Sequence, residues 1–514
     1  MQTSASRQVR KRARLYGQIK RSALRAADTD ERLYWAAAAA TFAWSHNFGV
    51  WRDDELEAVV EAASREFAPR ERCAPRAGEI VYLVSTFSGG GGHTETLMVW
   101  SQQAGSAVVS SELEASDASL LSIPVHLCPR DLGPTPRIEW LCRKLAELRP
   151  ETIILHILPN DVLALTAALA YRRSSGARVM AYDHADVFFW LGAGLVDRVL
   201  VSFPSRLEFA HHVRGVPRER LTLVPLTSRE RGSPRLAREA LGVPPGATLS
   251  LTVAAYYKMR PDGHWDYART LARIMSRHPN HYHLIVGHGQ GERPLRRHLK
   301  SERVRWLGRR TDVDALLRIS DFVVESFPLM GGVFRLDAMR EGVPVLAIAH
   351  PACPDIFDTG ALPADYPLVA QSNAEVERLC ARLVEDEALR GEVGASLRRR
   401  FERHFSEAAV GRALRDALLS IPTPAPRHDQ PFDLSRAPEA LTPGPCRFHV
   451  ALSRAIGALN YSPAMKGTVA ARYWAAYAAE ALGLRLRRWA KKARPGRGLP
   501  GASSENAGGS RAAG

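Results

Sequence analysis

The sequence predicts an α/β protein: two doubly wound parallel-sheet domains facing a cleft, with a helical N-terminal extension and a basic C-terminal tail. Three observations carry this. From residue 79 onward, short β-branched runs alternate with amphipathic helical segments, the spacing of a parallel sheet with crossover helices. The alternation pauses at 226–246, a stretch rich in Pro, Ser, Gly and charge, and resumes near Leu249. A chain of 514 residues with 46% hydrophobic content is too long for one core and apolar enough to fill two.

Residues 1–75 read as an accessory helical extension, with helices over 31–43 and 53–66. In the second, Leu56, Val59, Val60 and Ala63 share one face and Asp53 is placed to cap. The first sheet domain, 76–225, opens with a strand over 79–87 that feeds the glycines Gly89 to Gly92 and a helix. Four consecutive glycines are entropically costly unless something approaches the main chain closely. The dinucleotide pattern G-x-G-x-x-G is not fulfilled, which demotes nicotinamide binding. Further strands are expected at 108–111, 123–127, 152–157, 178–182 and 198–202, with helices at 137–148, 161–173 and 205–212. Polar clusters at 88–95, 156–161 and 183–186 fall at the carboxyl ends of strands, where such sheets bind ligands. They hold His93, His184 and Asp186.

After the 226–246 linker the second domain, 247–420, repeats the pattern: strands at 249–254, 282–286 and 304–307, helices at 264–278, 292–300 and 312–319. It culminates in 321–348, where strand, glycine turn, helix and strand follow in under thirty residues. Gly331 and Gly332 open a helix whose first N–H groups have no intrahelical partner, a seat for phosphate. A further helix is expected over 407–419. Residues 421–445 are a proline-rich linker, and 446–514 a tail in which Trp474, Tyr477, Leu484, Leu486 and Trp489 suit an interfacial helix.

Charge and cysteines bound the function. Residues 1–27 hold eight Lys/Arg and no acid, and 481–514 hold eight against the single Glu505, so the ends carry all but one of the +16 formal charges. A near-neutral body argues against nucleic acid; basic ends suit solvated tails or an anionic membrane surface. The six cysteines (Cys73, Cys128, Cys142, Cys353, Cys380, Cys446) include no Cys-x-x-Cys pair, so neither a zinc site nor a disulfide framework is signalled. The apolar cluster 33–44 is too short to span a bilayer, and no secretory signal is visible. A cytoplasmic protein, with room for peripheral contact on the inner membrane face, is expected.

The ordered segments AAYYKMRPDGHWDYARTLARIMSRHPN, HLIVGHGQGERPLRRHL, VRWLGRR and SFPLMGGVFRLDAMREGVPVL resemble the donor-binding domain of GT-B fold glycosyltransferases. With GGGGHTET and HADVFFWLG the similarity spans about 80–405. Retaining family-4 members usually carry Glu-x7-Glu across the glycine turn; here Leu329 stands at the first position and Asp337 at the second. The pattern SFP-x-x-GG is similar to the O-GlcNAc-transferase-like and bacterial protein glucosyltransferase-like branch.

The resemblance implies a metal-independent transferase that takes a sugar from a nucleoside diphosphate donor, more readily a uridine one, and passes it to a protein or glycan acceptor. No further cofactor is expected. Lys258 matches the lysine that neutralises the leaving diphosphate. Gly331, Gly332 and the helix start at Val333 and Phe334 match its main-chain seat, with Arg335 as an added contact; Asp337 matches the carboxylate for the ribose hydroxyls. Gly287, His288, Gly289, Arg309 and Arg310 would frame base and phosphate, and Gly91 and Gly92 the facing loop. His93 is similar to a base or orienting histidine, and His184 and Asp186 are alternatives to it. A retaining family-4-like transferase, a nucleotide-sugar 2-epimerase and a non-catalytic sugar-nucleotide-binding protein are the competing readings.

Overall fold

The computed structural model describes residues 4–69, 71–89, 92–112, 115–183, 186–289, 291–350 and 360–420. The expectations for Gly91, His184, the 421–445 linker and the 446–514 tail lie outside these.

The extension folds as α1 (Ser4–Arg25), α2 (Thr29–Ser45) and α3 (Asp54–Glu66). Leu33 to Ala43 of α2 are all buried, since this helix is packed by α1 and α3 on one side and by the first sheet domain on the other. Asp53 caps α3 through the amides of Glu55 and Leu56, and also accepts from Tyr16 Oη (2.7 Å) and Lys20 Nζ (2.6 Å). The extension is part of the first domain's architecture rather than an appendage. Trp51 Nε1 donates to the Val187 carbonyl (3.0 Å), and the buried Glu57 carboxylate accepts the amides of Gly192 (3.0 Å) and Gly194 (2.9 Å). A side chain on Gly194 would collide with the Arg52–Glu57 ion pair, so the glycine is what lets this loop lie flat on α3.

The first sheet contains β1 (Arg76–Val84), β2 (Ala107–Ser110), β3 (Val125–Leu127), β4 (Pro150–His156), β5 (Arg178–Tyr182), β6 (Arg198–Val201) and β7 (Leu221–Leu223). All pair in parallel, in the order β3-β2-β1-β4-β5-β6-β7. The helices are α4 (Gly92–Gln103), α5 (Pro134–Leu148), α6 (Val162–Ser175) and α7 (Pro204–His212). The opening strand lies three residues earlier than expected, because Arg76 already pairs with Pro150 and Ser85 turns its hydroxyl to Asp161 (2.7 Å), ending the strand. Helix α5 starts at Pro134 rather than 137; a proline in the first turn loses no hydrogen bond. β7 was not anticipated, three residues being too few for a periodicity to register.

The second sheet contains β8 (Thr248–Val253), β9 (His281–Val286), β10 (Val304–Gly308), β11 (Phe322–Val324), β12 (Val345–Ile348) and β13 (Val369–Ala370), in the parallel order β10-β9-β8-β11-β12-β13. Its helices are α8 (Tyr267–Arg277), α9 (Glu292–His298), α10 (Val313–Ile319), α11 (Gly332–Glu341), α12 (Asn373–Glu385), α13 (Glu387–His404) and α14 (Glu407–Leu418). Helix α8 begins three residues later than expected, at the point where the Asp266 carboxylate takes the Arg269 amide (3.1 Å). The last helix, α14, returns to pack on α4 and β7 of the first domain.

The 226–246 stretch connects the two sheets, and several of its residues are anchored. Thr227 and Ser228 are buried, Thr227 Oγ1 donates to the Phe405 carbonyl (2.6 Å), and Arg238 donates to the Ile319 carbonyl (2.8 Å) and pairs with Asp321 (2.9 Å). Its polar composition serves fixed partners distant in sequence, which composition alone does not distinguish from solvation.

The strand orders locate the site. In each sheet the winding reverses between two neighbours, β1/β4 in the first and β8/β11 in the second, and the crevice at such a switch point is where doubly wound sheets hold ligands.

Candidate active site

At the first switch point, β1 runs into the glycine loop and β4 ends at His156. His93 lies in the first turn of α4. Its Nε2 bonds the His156 carbonyl (2.9 Å) while His156 Nε2 bonds the His93 carbonyl (2.9 Å), and the rings are 4.2 Å apart. A carbonyl only accepts, so each Nε2 carries a proton. His156 is fully buried, and burial with the neighbouring His93 holds its pKa well below the ordinary imidazole value. It acts as a neutral prop for the half-exposed His93. Nothing in the sequence marked His156 beyond its place at a strand end.

At the second switch point, β8 leads into a short turn, Tyr256–Met259, that carries Lys258, and β11 leads to Gly331, the N-cap of α11. Two hydrogen bonds tie these loops together: the Leu329 amide donates to the Lys258 carbonyl (3.2 Å), and Lys258 Nζ donates to the Met330 carbonyl (3.1 Å). Nζ lies 3.9 Å from where a Cβ on Gly331 would stand. Burial lowers the Lys258 pKa, with Asp186 and Glu325 opposing at a distance, and no carboxylate forms an ion pair with it among the described residues. Gly331 caps α11 without a side-chain oxygen, so the first amides of the helix are left to a ligand. A half-buried ammonium beside an uncapped helix start is a site for an anion.

The two switch points face each other. A Cβ on Gly92 would lie 2.6 Å from Val333 Cγ2, and one on Gly332 would lie 4.0 Å from Phe203 Cε2. Arg309 Nη2 reaches across to the Gly89 carbonyl (2.6 Å). The starts of α4 and α11 thus meet, from different domains, next to Lys258.

Several side-chain roles expected from the sequence are redirected by their partners. Arg335 is buried, forks onto Glu325 (2.6 and 2.8 Å) and touches Met330 Sδ (2.9 Å), so its guanidinium is engaged in an internal ion pair beside the phosphate seat. Asp337 is buried too, accepting from Ser228 Oγ and from Arg231 (3.2 and 3.4 Å) rather than facing an open ribose pocket. Arg310 is folded onto Asp312 (2.7 Å) at the start of α10. Gly287 makes room for the Tyr256 ring, which a Cβ would approach to 2.5 Å, so its smallness serves packing. His288 is exposed, Gly289 has a left-handed φ of 87°, and Phe334 is half-buried in the first turn of α11. Asp186 also takes a left-handed φ (54°), and its half-exposed carboxylate is held by the buried Arg206 guanidinium, which suits orientation more than proton abstraction. Among the described residues no group of three His, Cys, Asp or Glu stands in metal-holding geometry.

Residues 248–386 match the family model described as Glycosyl transferases group 1. Anabaena HepE, solved with UDP and glucose, superposes with a TM-score of 0.53 at 15% identity, covering 66% of this chain and 99% of that one. The fold is GT-B. A glycosyltransferase from Rickettsia africae shares it with a TM-score of 0.50 at 12% identity over 67% of this chain and 98% of that one. Thermobaculum terrenum O-GlcNAc transferase aligns over 81% of this chain and 82% of that one at 16% identity and a TM-score of 0.48, too distant to choose between branches of GT-B. No curated protein matches the sequence. The family match covers the second domain, the structural likeness shows the fold, and about a third of the chain lies outside the HepE likeness.

Proposed function

We propose that the chain is a metal-independent glycosyltransferase that moves a sugar from a uridine diphosphate donor to a hydroxyl or amide of a protein or glycan acceptor. The observation that carries this is Lys258, an ammonium without an ion-pair partner among the described residues, fixed on the Met330 carbonyl at the uncapped start of α11. In the transfer, the acceptor oxygen or nitrogen attacks the anomeric carbon and the bond from that carbon to the diphosphate oxygen breaks. The acceptor proton passes to the His93 imidazole and the electron pair leaves on the diphosphate. Lys258 and the α11 amides meet the charge that develops there, so they act more strongly on the transition state than on the bound donor. Leu329 offers no carboxylate beside the sugar, which favours the inverting course with the base on the acceptor side. HepE was solved with UDP and glucose and with UDP-glucose, which supports a uridine donor.

Incubation with radiolabelled UDP- and GDP-sugars plus host protein and glycan fractions tests the reading. Label moving to acceptor with nucleotide release supports a transferase; an isomerised sugar would make it an epimerase, and saturable binding without turnover a binding module. A crowding variant probes the same seat. Gly92→Ala is expected to push Val333 away and weaken UDP binding by about 1 kcal/mol, roughly fivefold. Val333→Ala in the same chain should recover most of the loss in titration calorimetry, and an unchanged affinity in Gly92→Ala alone would place UDP elsewhere.

The proposal includes peripheral contact with an anionic membrane surface on the cytoplasmic side. On α1, Arg7, Lys11, Arg14, Arg21 and Arg25 are exposed and make no ion pair with a described carboxylate, and no helix among the described residues is long and apolar enough to cross a membrane. Full-length protein should float with vesicles containing phosphatidylserine and stay behind with neutral ones; flotation equal on both would refute the contact.

A further inference from the structure

The starts of α4 and α11 both present the positive end of a helix dipole, and Lys258 and Arg309 add two cations beside them. Without a bound anion these groups repel, yet Gly92 and Val333 are in contact. Something must hold the two helices together. One turn further along each lies an acid: Glu95 on α4 and Asp337 on α11, both nearly buried. Between them runs the segment joining the domains. Arg229 Nε binds Glu95 (2.7 Å), and Arg231 Nε lies 3.8 Å from the same carboxylate. The Arg231 amide and Nη1 grip Asp314 at the start of α10 (2.6 and 2.8 Å), while Nη1 and Nη2 reach Asp337 (3.2 and 3.4 Å). Ser228 adds a hydroxyl to Asp337. One guanidinium therefore contacts acids of both domains, with a second beside it on the Glu95 side.

We propose that Arg229 and Arg231 are positioning residues for the transfer: through Glu95 they hold the first turn of α4, and with it His93, at a set distance from the diphosphate seat of α11. The inference rests on the seat assigned above. Neither arginine touches substrate. The two guanidiniums tie Glu95, Asp314 and Asp337 into one ion-pair cluster behind the cleft, and the two helix starts stay close enough to grip one diphosphate between them. A cleft tied only by a flexible connection would have to pay the closing entropy at each binding event.

Arg231→Ala would leave the buried Asp337 without its ion-pair partner, Asp314 keeping Arg340 (2.8 Å), and could simply unfold the protein, so the informative change is Glu95→Gln. It cuts the first-domain end alone. The readouts are melting temperature, radius of gyration from small-angle X-ray scattering, and UDP affinity from titration calorimetry, all on the full chain. Glu95→Gln is expected to melt within a few degrees of wild type, to show a larger radius without UDP, and to bind UDP about five- to tenfold more weakly. The exchanged pair Glu95→Arg with Arg229→Glu should recover most of the radius and the affinity. Wild-type radius and affinity in Glu95→Gln overturn the proposal, as does a fall in melting temperature with both unchanged. If wild-type protein fails to bind UDP, the proposed function falls, and the radius of Glu95→Gln still decides whether the arginines hold the domains.

Discussion

Replacing Lys258 with Ala is expected to lower turnover by about 100- to 1000-fold, the usual effect of removing one preorganised group that meets developing charge. The fold should survive, because Nζ makes one hydrogen bond, to the Met330 carbonyl, and that carbonyl borders the cleft. The lysine also makes a distinctive pH dependence. Burial lowers its pKa, against the weaker pull of Asp186 and Glu325, and a bound diphosphate would raise it again. The protonated form is therefore the one that binds. UDP affinity should be level below the lowered pKa and decline as the pH rises through it, and Lys258→Ala should remove that decline along with most of the affinity. Calorimetric titrations from about pH 7 to pH 10 would show it. Wild-type turnover in Lys258→Ala would end the assignment of the diphosphate to this loop.

What the sequence reveals and what it hides divides along sequence separation. The glycine turn at Gly331 and the helix after it are legible because strand, turn and helix are neighbours in the chain. Lys258 is legible because it follows a strand directly. Side chains whose partners lie far away are not. Asp337 reads as a first-turn acid or a ribose contact; that it is occupied by Ser228 and Arg231, over a hundred residues earlier, follows from how the chain crosses between sheets. The 226–246 stretch has the composition of a solvated linker, but Thr227, Ser228 and Arg231 are anchored, and composition carries no record of what a charge is paired with. Residues 1–75 gave helices and a cap but no purpose, since their grip on Gly192 and Gly194 spans 135 and 137 residues. Arg335 is the exception that could have been found. Glu325 closes the strand ten residues before it, and a strand–turn–helix hairpin of that length brings the two positions opposite each other.

That pair sets the other large effect. Arg335→Ala is expected to destabilise the protein by about 3–5 kcal/mol, because it leaves Glu325, itself 2% exposed, as a buried carboxylate without its cation. Glu325 Oε2 also takes the Ile348 amide (3.2 Å), so the pair joins α11, β11 and β12, the three elements that shape the phosphate seat. If Arg335 were a diphosphate ligand, the variant would keep its stability and lose donor affinity. If it is the internal brace the geometry describes, urea unfolding should shift to lower denaturant, and UDP affinity at concentrations where the variant is still folded should change far less than in Lys258→Ala. The double variant Glu325→Leu with Arg335→Met separates the charge from the brace. Removing both ions lifts the penalty of the stranded carboxylate, so the double variant should be more stable than Arg335→Ala alone, by a margin that double-mutant analysis can assign to the buried charge. Stability of the double variant equal to or below that of the single one would mean that the guanidinium holds α11 through contacts other than Glu325.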